Sequence, residues 1–300
     1  MAEILHNSID RRSFIKTSLA AVGAIVTMGA DAGFGAESSA KAMTRWALLS
    51  DTHIPEDAEG SYRGFRPYEN LHRVAAEIAS ARPDAAAITG DLARLEGKPG
   101  DYANLKKLLN PVADRLPVFM GLGNHDDRGN FNKVFTEHPG NKQPIRGKHV
   151  IVAENGPTRL IVLDSLLYAN KTPGLLGKAQ RQWLANYLRE CDERPTMLCF
   201  DHTLGDGDGD LLDVLRLYDL VKPIRKVKAI LYGHSHVYGF SKLDDIHLIN
   251  LPAVGYNFNE AQPVGWVEAQ LTAGGGKFTL HALAGNKSKD GASERLAWRK

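Results

Sequence analysis

The chain has 300 residues, 43% of them hydrophobic and 24% charged, which describes a globular protein of one large domain or two small ones. A net charge of +2 gives no ground for expecting a nucleic-acid polymer or an acidic membrane as partner. Two cysteines, Cys191 and Cys199, exclude a disulfide framework, a C-x-x-C motif and any thiolate metal site.

The N-terminus carries Arg11-Arg12-Ser13-Phe14-Ile15-Lys16, a twin-arginine pattern, followed by a weakly apolar run from Thr17 to Ala30. That run is interrupted by Gly23 and Gly29 and falls short of the ~20 apolar residues of a membrane span. Small residues then place cleavage after Ala32, Ala36 or Ala42. The expectation is a signal peptide over residues 1–36, engagement of the twin-arginine export machinery, a periplasmic or extracellular destination and no stable membrane anchor. This route carries folded proteins, so a metal can be loaded before export.

From Trp46 the order reads strand, helix, strand, helix, strand. Ala47 to Leu49 runs into Ser50-Asp51-Thr52-His53, and Leu71, Val74, Ala75 and Ile78 give helical spacing over Tyr68 to Ala81. Ala85 to Thr89 is a short apolar strand ending in Gly90-Asp91. Tyr102 to Leu109 predicts a helix broken near Pro111, and Pro117 opens the strand that leads to Gly123-Asn124-His125-Asp126. Strands alternating with helices predict βαβ units around a parallel sheet.

The second half is richer in strand. His149 to Ala153 and Arg159 to Leu163 read as a hairpin across Asn155-Gly156-Pro157. A helix from Gln182 to Cys191 precedes the strand Thr196 to Phe200, and a second helix covers Leu211 to Leu220. Ala229 to Leu231 delivers Gly233-His234-Ser235-His236. His247 to Leu251, Trp266 to Leu271 and Lys277 to Ala282 read as successive antiparallel strands, and residues 285–300 as a polar tail. With no repeat and no linker, one domain over residues 44–284 is the expectation.

Five polar clusters therefore each follow an apolar strand: Asp51-x-His53, Gly90-Asp91, Asn124-His125-Asp126, His202, and His234-x-His236. Asp51 and His53 are two apart, as are His234 and His236, and period-2 geometry points such pairs to the same side. Carboxylate, imidazole and amide donors without thiolate suit hard to borderline divalent ions such as Mn, Fe or Zn. Open α/β sheets bind ligands at such strand ends.

These clusters, from Trp46 to His236, resemble the calcineurin-like metallophosphoesterase superfamily. Asn124-His125-Asp126-Asp127-Arg128 is most similar to the bacterial class III cyclic-nucleotide phosphodiesterase branch. The resemblance implies an α/β/β/α sandwich of mixed sheets. It also implies two divalent ions, one held by Asp51, His53 and His236, the other by Asn124, His202 and His234, with Asp91 bridging. His125 would face the substrate phosphate and protonate the leaving oxygen, and Asp126 would support the ligands or cap a turn. The implied reaction is hydrolysis of a small phosphodiester by a hydroxide bridging the two ions, with phosphomonoester or nucleotide hydrolysis as the alternative. A non-catalytic scaffold of the same fold is the rival class, but all eight expected positions are filled.

Some positions depart from the family or fall outside its clusters. Arg94 stands where protein Ser/Thr phosphatases carry a second aspartate and purple acid phosphatases a ligand tyrosine. Asp201-His202-Thr203 replaces the usual His-His-Pro, and His202 has no characteristic spacing of its own. Asp206-Gly207-Asp208-Gly209-Asp210 lacks the terminal glutamate of a calcium loop and reads as a turn capping the Leu211 helix. His72, His138, His149, His247 and His281 default to structural or surface roles. Arg128 is read either as a phosphate-steering group or as an exposed ion pair, Tyr256 and Asn257 as cleft-flanking, and Trp183 as core.

Overall fold

The computed structural model describes residues 42–300. The twin-arginine pattern, the apolar run and the cleavage positions at Ala32 and Ala36 lie outside the described residues. The first half contains β1 (Met43–Leu49), α1 (Pro67–Ala81), β2 (Ala85–Ile88), α2 (Pro99–Ala113), β3 (Val118–Met120), α3 (Arg128–Val134) and β4 (Asn141–Lys142). Then come β5 (Ile151–Asn155), β6 (Thr158–Val162), α4 (Lys178–Glu190), β7 (Thr196–Cys199), α5 (Val214–Val221) and β8 (Val227–Tyr232). The chain closes with β9 (Gly239–Leu243), β10 (Ile246–Asn250), β11 (Pro263–Thr272), β12 (Gly275–Gly285) and β13 (Ser293–Ala297).

Two sheets form, ordered β13-β12-β11-β1-β2-β3 and β4-β5-β6-β7-β8-β10-β9. The pleat explains how they stack. Trp46, Leu48, Ala85, Ala87 and Phe119 face Leu160, Val162, Met197, Cys199, Ala229 and Leu231 in the core between the sheets. The alternate residues Ala47, Leu49, Ala86 and Ile88 face outward, where they pack with Leu71, Val74 and Ile78 of α1 and Leu105 and Leu109 of α2. Leu198, Ile230 and Phe200 do the same for Leu184 and Leu188 of α4 and Leu217 and Val221 of α5. Helix, sheet, sheet, helix is the four-layer sandwich expected. Central strands buried on both faces read as unbroken apolar runs for this reason. Truncating one of their fully buried leucines to alanine costs about 2–5 kcal/mol.

β1, β2 and β3 run parallel, as do β6, β7, β8 and β10, so their carboxyl ends collect at one edge of the sandwich. Both cysteines are free, Cys199 within the intersheet core and Cys191 beside the Arg159 guanidinium.

Four expectations are corrected. α2 continues through Pro111 to Ala113, because a proline so near the C-terminus forfeits one backbone bond without ending the turn. α5 starts at Val214 rather than Leu211: Leu211 N–H donates to Thr203 O (3.0 Å) and Leu212 N–H to Gly174 O (2.9 Å), which commits that backbone to a bridge. β10 lies in the second sheet, parallel to β8, and not beside β11. Residues 285–300 are not simply a polar tail, since β13 pairs antiparallel with β12. Arg299, nearly buried, donates to the carbonyls of Val221 and Lys222 at the end of α5, a placement that also suits the helix dipole, and to that of Val227 at the start of β8.

Candidate metal centre

Every cluster singled out in the sequence sits in a loop leaving the carboxyl end of a parallel strand. The pleat does not aim the paired residues, because β1 ends at Leu49 and β8 at Tyr232. Left-handed backbone does so instead: φ is 51° at Asp51, 48° at His53, 48° at Asp91, 68° at His234 and 55° at His236. Such conformations cost a non-glycine residue on the order of 1–3 kcal/mol and persist where surrounding contacts enforce them. Here the loops lock one another. Asp51 N–H donates to Gly90 O (3.1 Å), His53 N–H to Asp91 O (2.9 Å) and Gly233 N–H to Asp201 O (2.8 Å). Gly123 is required by closeness, since a methyl there would collide with the carboxylates of Asp91 and Asp201.

At one end of the site His53 Nε2 and His236 Nε2 face each other at 3.0 Å. Asp51 Oδ1 lies 3.3 Å from the latter and 3.9 Å from the former. His236 Nδ1 donates to the carbonyl of Tyr256 (2.6 Å), which leaves the Nε2 lone pair turned inward. The Tyr256 ring stacks on His53 with centroids 4.6 Å apart. Asp91 Oδ2 stands 3.9 Å from His53 Nε2, while its Oδ1 accepts from His125 N–H (2.8 Å). Burial opposes ionisation of Asp51, yet the imidazoles of His236 and His53 hold its carboxyl well below the usual range. Asp91 is shifted the other way, by burial and then by the carboxylates of Asp201 and Asp51.

The other end is defined by what lacks partners. Asn124 Oδ1, His234 Nδ1 and both carboxylate oxygens of Asp201 are buried with no hydrogen bond, although the large majority of such groups in folded proteins have one. Carboxylate, amide and imidazole atoms converging without partners are what a divalent cation would satisfy. His202, expected among them, has a ligand nitrogen within 4.8 Å of those of Asp201 and His234, but unlike theirs its ring nitrogens have protein partners. Its Nε2 lies 3.0 Å from the Thr172 carbonyl, which can only accept, so Nε2 carries the hydrogen. Its Nδ1 lies 2.7 Å from the Ser165 hydroxyl, so in this arrangement both ring nitrogens are engaged by the protein. Asp201 was passed over in the sequence because the neighbouring imidazole drew the assignment. It nevertheless occupies the same place just past an apolar strand as the other clusters. Tyr256 was recognised only as flanking.

Residues 44–238 match the family model described as calcineurin-like phosphoesterase. The chain belongs to the calcineurin-like phosphoesterase family. It is 28% identical to a probable cyclic nucleotide phosphodiesterase of Synechococcus, over 74% of this chain and 86% of that protein. A 3′,5′-cyclic adenosine monophosphate phosphodiesterase of Haemophilus influenzae is 27% identical over 78% of this chain and 88% of its own length. Among solved structures, a dimetal phosphatase from Danio rerio superposes with a TM-score of 0.66 at 12% identity, covering 85% of this chain and 99% of that one. That last likeness speaks to the fold. Family membership makes the chain a hydrolase of phosphoric ester bonds.

The remaining family positions divide into two kinds. His125 lies at the open side of the site, its ring 5.3 Å from that of His53. Its Nδ1 donates to the Leu95 carbonyl at 2.9 Å, so Nε2 is its available nitrogen, and burial lowers its pKa. Asp126 faces inward: it accepts from Leu92 N–H (3.1 Å), Ala93 N–H (3.1 Å), Gly123 N–H (2.9 Å) and the Tyr102 hydroxyl (3.0 Å). It thereby ties the Asp91 loop to the Asn124 turn. Arg128 makes two 2.7 Å bonds to buried Asp164, a bidentate pair that removes it from phosphate steering. Asn257 braces its own loop through Gln262. The Asp206–Asp210 loop closes on itself through Gly207 N–H and Asp210 and does not cap α5. Of the other histidines, His149 donates to Met120 O and His247 to Ala297 O, His281 stacks on Trp266, and His72 is exposed. Trp183 is half-buried against Tyr187.

Proposed function

We propose that this hydrolase acts on a small phosphodiester with two divalent cations. Asp51, His53 and His236 serve one cation, Asn124 and His234 help hold the other, and Asp91 lies between. The observation that carries the reading is the convergence, across loops from both sheets, of ligand atoms left without protein partners. Divalent cations at such a site lower the pKa of water toward ~7 and neutralise phosphoryl charge. The chain's own groups do the rest. His125 presents Nε2 to the phosphoryl group and, when protonated there, gives its proton to the leaving oxygen. Asp91 fixes His125 through the backbone N–H. Tyr256 holds the His236 tautomer through its carbonyl and walls the His53 ring from solvent.

The names of the relatives favour a cyclic nucleotide as the diester. The twin-arginine pattern favours a periplasmic or extracellular substrate, with the leader removed, and so a nutrient diester such as a glycerophosphodiester. A panel of cyclic nucleotides, a glycerophosphodiester, bis-p-nitrophenyl phosphate and p-nitrophenyl phosphate separates these, assayed on protein stripped of metal and reloaded with Mn(II). Diester turnover restored by metal is expected. Robust monoester cleavage with no diester turnover would overturn the diester assignment.

A further inference from the structure

We infer that Asp201, not an imidazole, completes the second cation position, giving the two ends of the site different chemistry. This rests on the two-cation reading above. Asp201 is fully buried, and neither carboxylate oxygen has a hydrogen-bond partner. Oδ2 stands 3.6 Å from the unpartnered Nδ1 of His234. Its ligand atoms also cluster with those of Asp51 and Asp91, all within 4.8 Å of one another. A buried carboxylate held against two others without a donor is destabilising as it stands, and a cation at their meeting point removes that penalty.

The two donor sets then differ in kind. Asp51, His53, His236 and Asp91 offer two imidazole nitrogens, whereas Asn124, Asp201, His234 and Asp91 offer one nitrogen and oxygens. An oxygen-rich position favours harder ions such as Mn(II) or Mg(II), and the nitrogen-rich one accepts Zn(II) more readily. His202 becomes a positioning residue. Its bonds to Ser165 and Thr172 anchor the 165 and 172 loops, and its ring stacks on that of His234 at 4.8 Å.

The test titrates metal-free wild type, Asp201→Asn and His202→Gln with Mn(II), counting bound ions by equilibrium dialysis and following Tm with and without metal. Wild type is expected to take two ions per chain. Asp201→Asn should keep one and bind the second at least about 100-fold more weakly, a loss as large as or larger than removing a supporting ligand partner. Without metal it should melt no lower than wild type, because a buried carboxyl crowded by two others and lacking any donor has gone; a merely structural carboxyl would instead lower Tm. His202→Gln should still bind two. Two ions at parental affinity in Asp201→Asn, or loss of the second ion in His202→Gln alone, would overturn the assignment while leaving two-cation chemistry intact. A wild type that binds one ion would sink the two-cation reading itself.

Discussion

Two neighbouring sets of buried carboxylates in this protein are treated in opposite ways. At the rim, Asp91 and Asp201 are crowded together, and Asp201 has no donor at all. One layer behind, Asp126 accepts four hydrogen bonds, and Asp164 accepts from Arg128 and from His149 N–H (2.8 Å). An unpaired buried polar group costs about 1–3 kcal/mol, and a paired one contributes about 1. The rim is therefore a place where stability has been given up, and the layer behind it is what keeps the strained rim in shape.

The comparison is sharpest at Asp91. Replacing it with asparagine keeps the acceptor for His125 N–H but removes the charge that would lie between the two proposed cation positions. Hydrolysis of bis-p-nitrophenyl phosphate is expected to fall by ~10²–10³-fold, the scale of losing a key electrostatic group in a site of this kind. The metal-free melting temperature should stay within about 2 °C of the parent, or rise, because like-charge crowding is relieved. Turnover at the parental rate would show that Asp91 is not between the reacting groups.

Asp126 should behave in the opposite sense. Alanine there strips the acceptor from Leu92, Ala93 and Gly123 N–H and from the Tyr102 hydroxyl. Stability should drop by about 3–5 kcal/mol, as when a buried hydrogen-bond network is broken. Activity should fall with it, since the loops bearing Asp91 and Asn124 lose their tie. Denaturant unfolding of Asp126→Ala beside Asp91→Asn settles it: a variant that lost turnover but kept its midpoint would place Asp126 at the rim instead. Burial pushes the Asp126 carboxyl up to about 6, yet it remains the acceptor around which both loops are built.

This division also explains what could be read from sequence. Strand-end clusters were visible because the central strands are doubly buried and end abruptly in polar residues: Leu49 gives way to Ser50-Asp51 and Ile88 to Thr89-Gly90-Asp91. The clusters bearing Asp51, His53, Asp91, Asn124, His234 and His236 were legible from that contrast, whereas the four-layer sandwich and the ligand roles came from the family resemblance. The mechanism of aiming did not follow, because left-handed backbone at Asp51 or His236 leaves no mark in residue type when the residue is not glycine. His202 and Asp201 were indistinguishable by pattern. Only the carbonyl of Thr172 and the hydroxyl of Ser165, brought in from distant loops, show that the imidazole is already engaged. β13 was hidden for another reason: its Glu294 and Arg295 are exposed on an edge strand, so no apolar alternation announces it.

The smallest expected effect probes a buried group behind the rim that lacks full pairing. His149 donates Nε2–H to the Met120 carbonyl at 3.1 Å and packs edge-on to Phe131, but its Nδ1 has no partner. Burial, with His138 nearby, lowers its pKa to about 4. The unfolded chain takes up this proton near pH 6.5 and the folded chain only near 4, so the unfolded state binds more protons throughout that window. Stability from His149 is fully present above about pH 6.5 and declines as pH falls, by at most about 1.4 kcal/mol per unit. Denaturant midpoints at pH 7 and pH 5.5 should therefore separate less in His149→Gln than in wild type, while turnover at pH 7 stays close to parental. An unchanged separation would mean that other buried histidines, His53 and His202 among them, carry the acid sensitivity, and that the layer behind the rim tolerates an unpaired nitrogen without consequence.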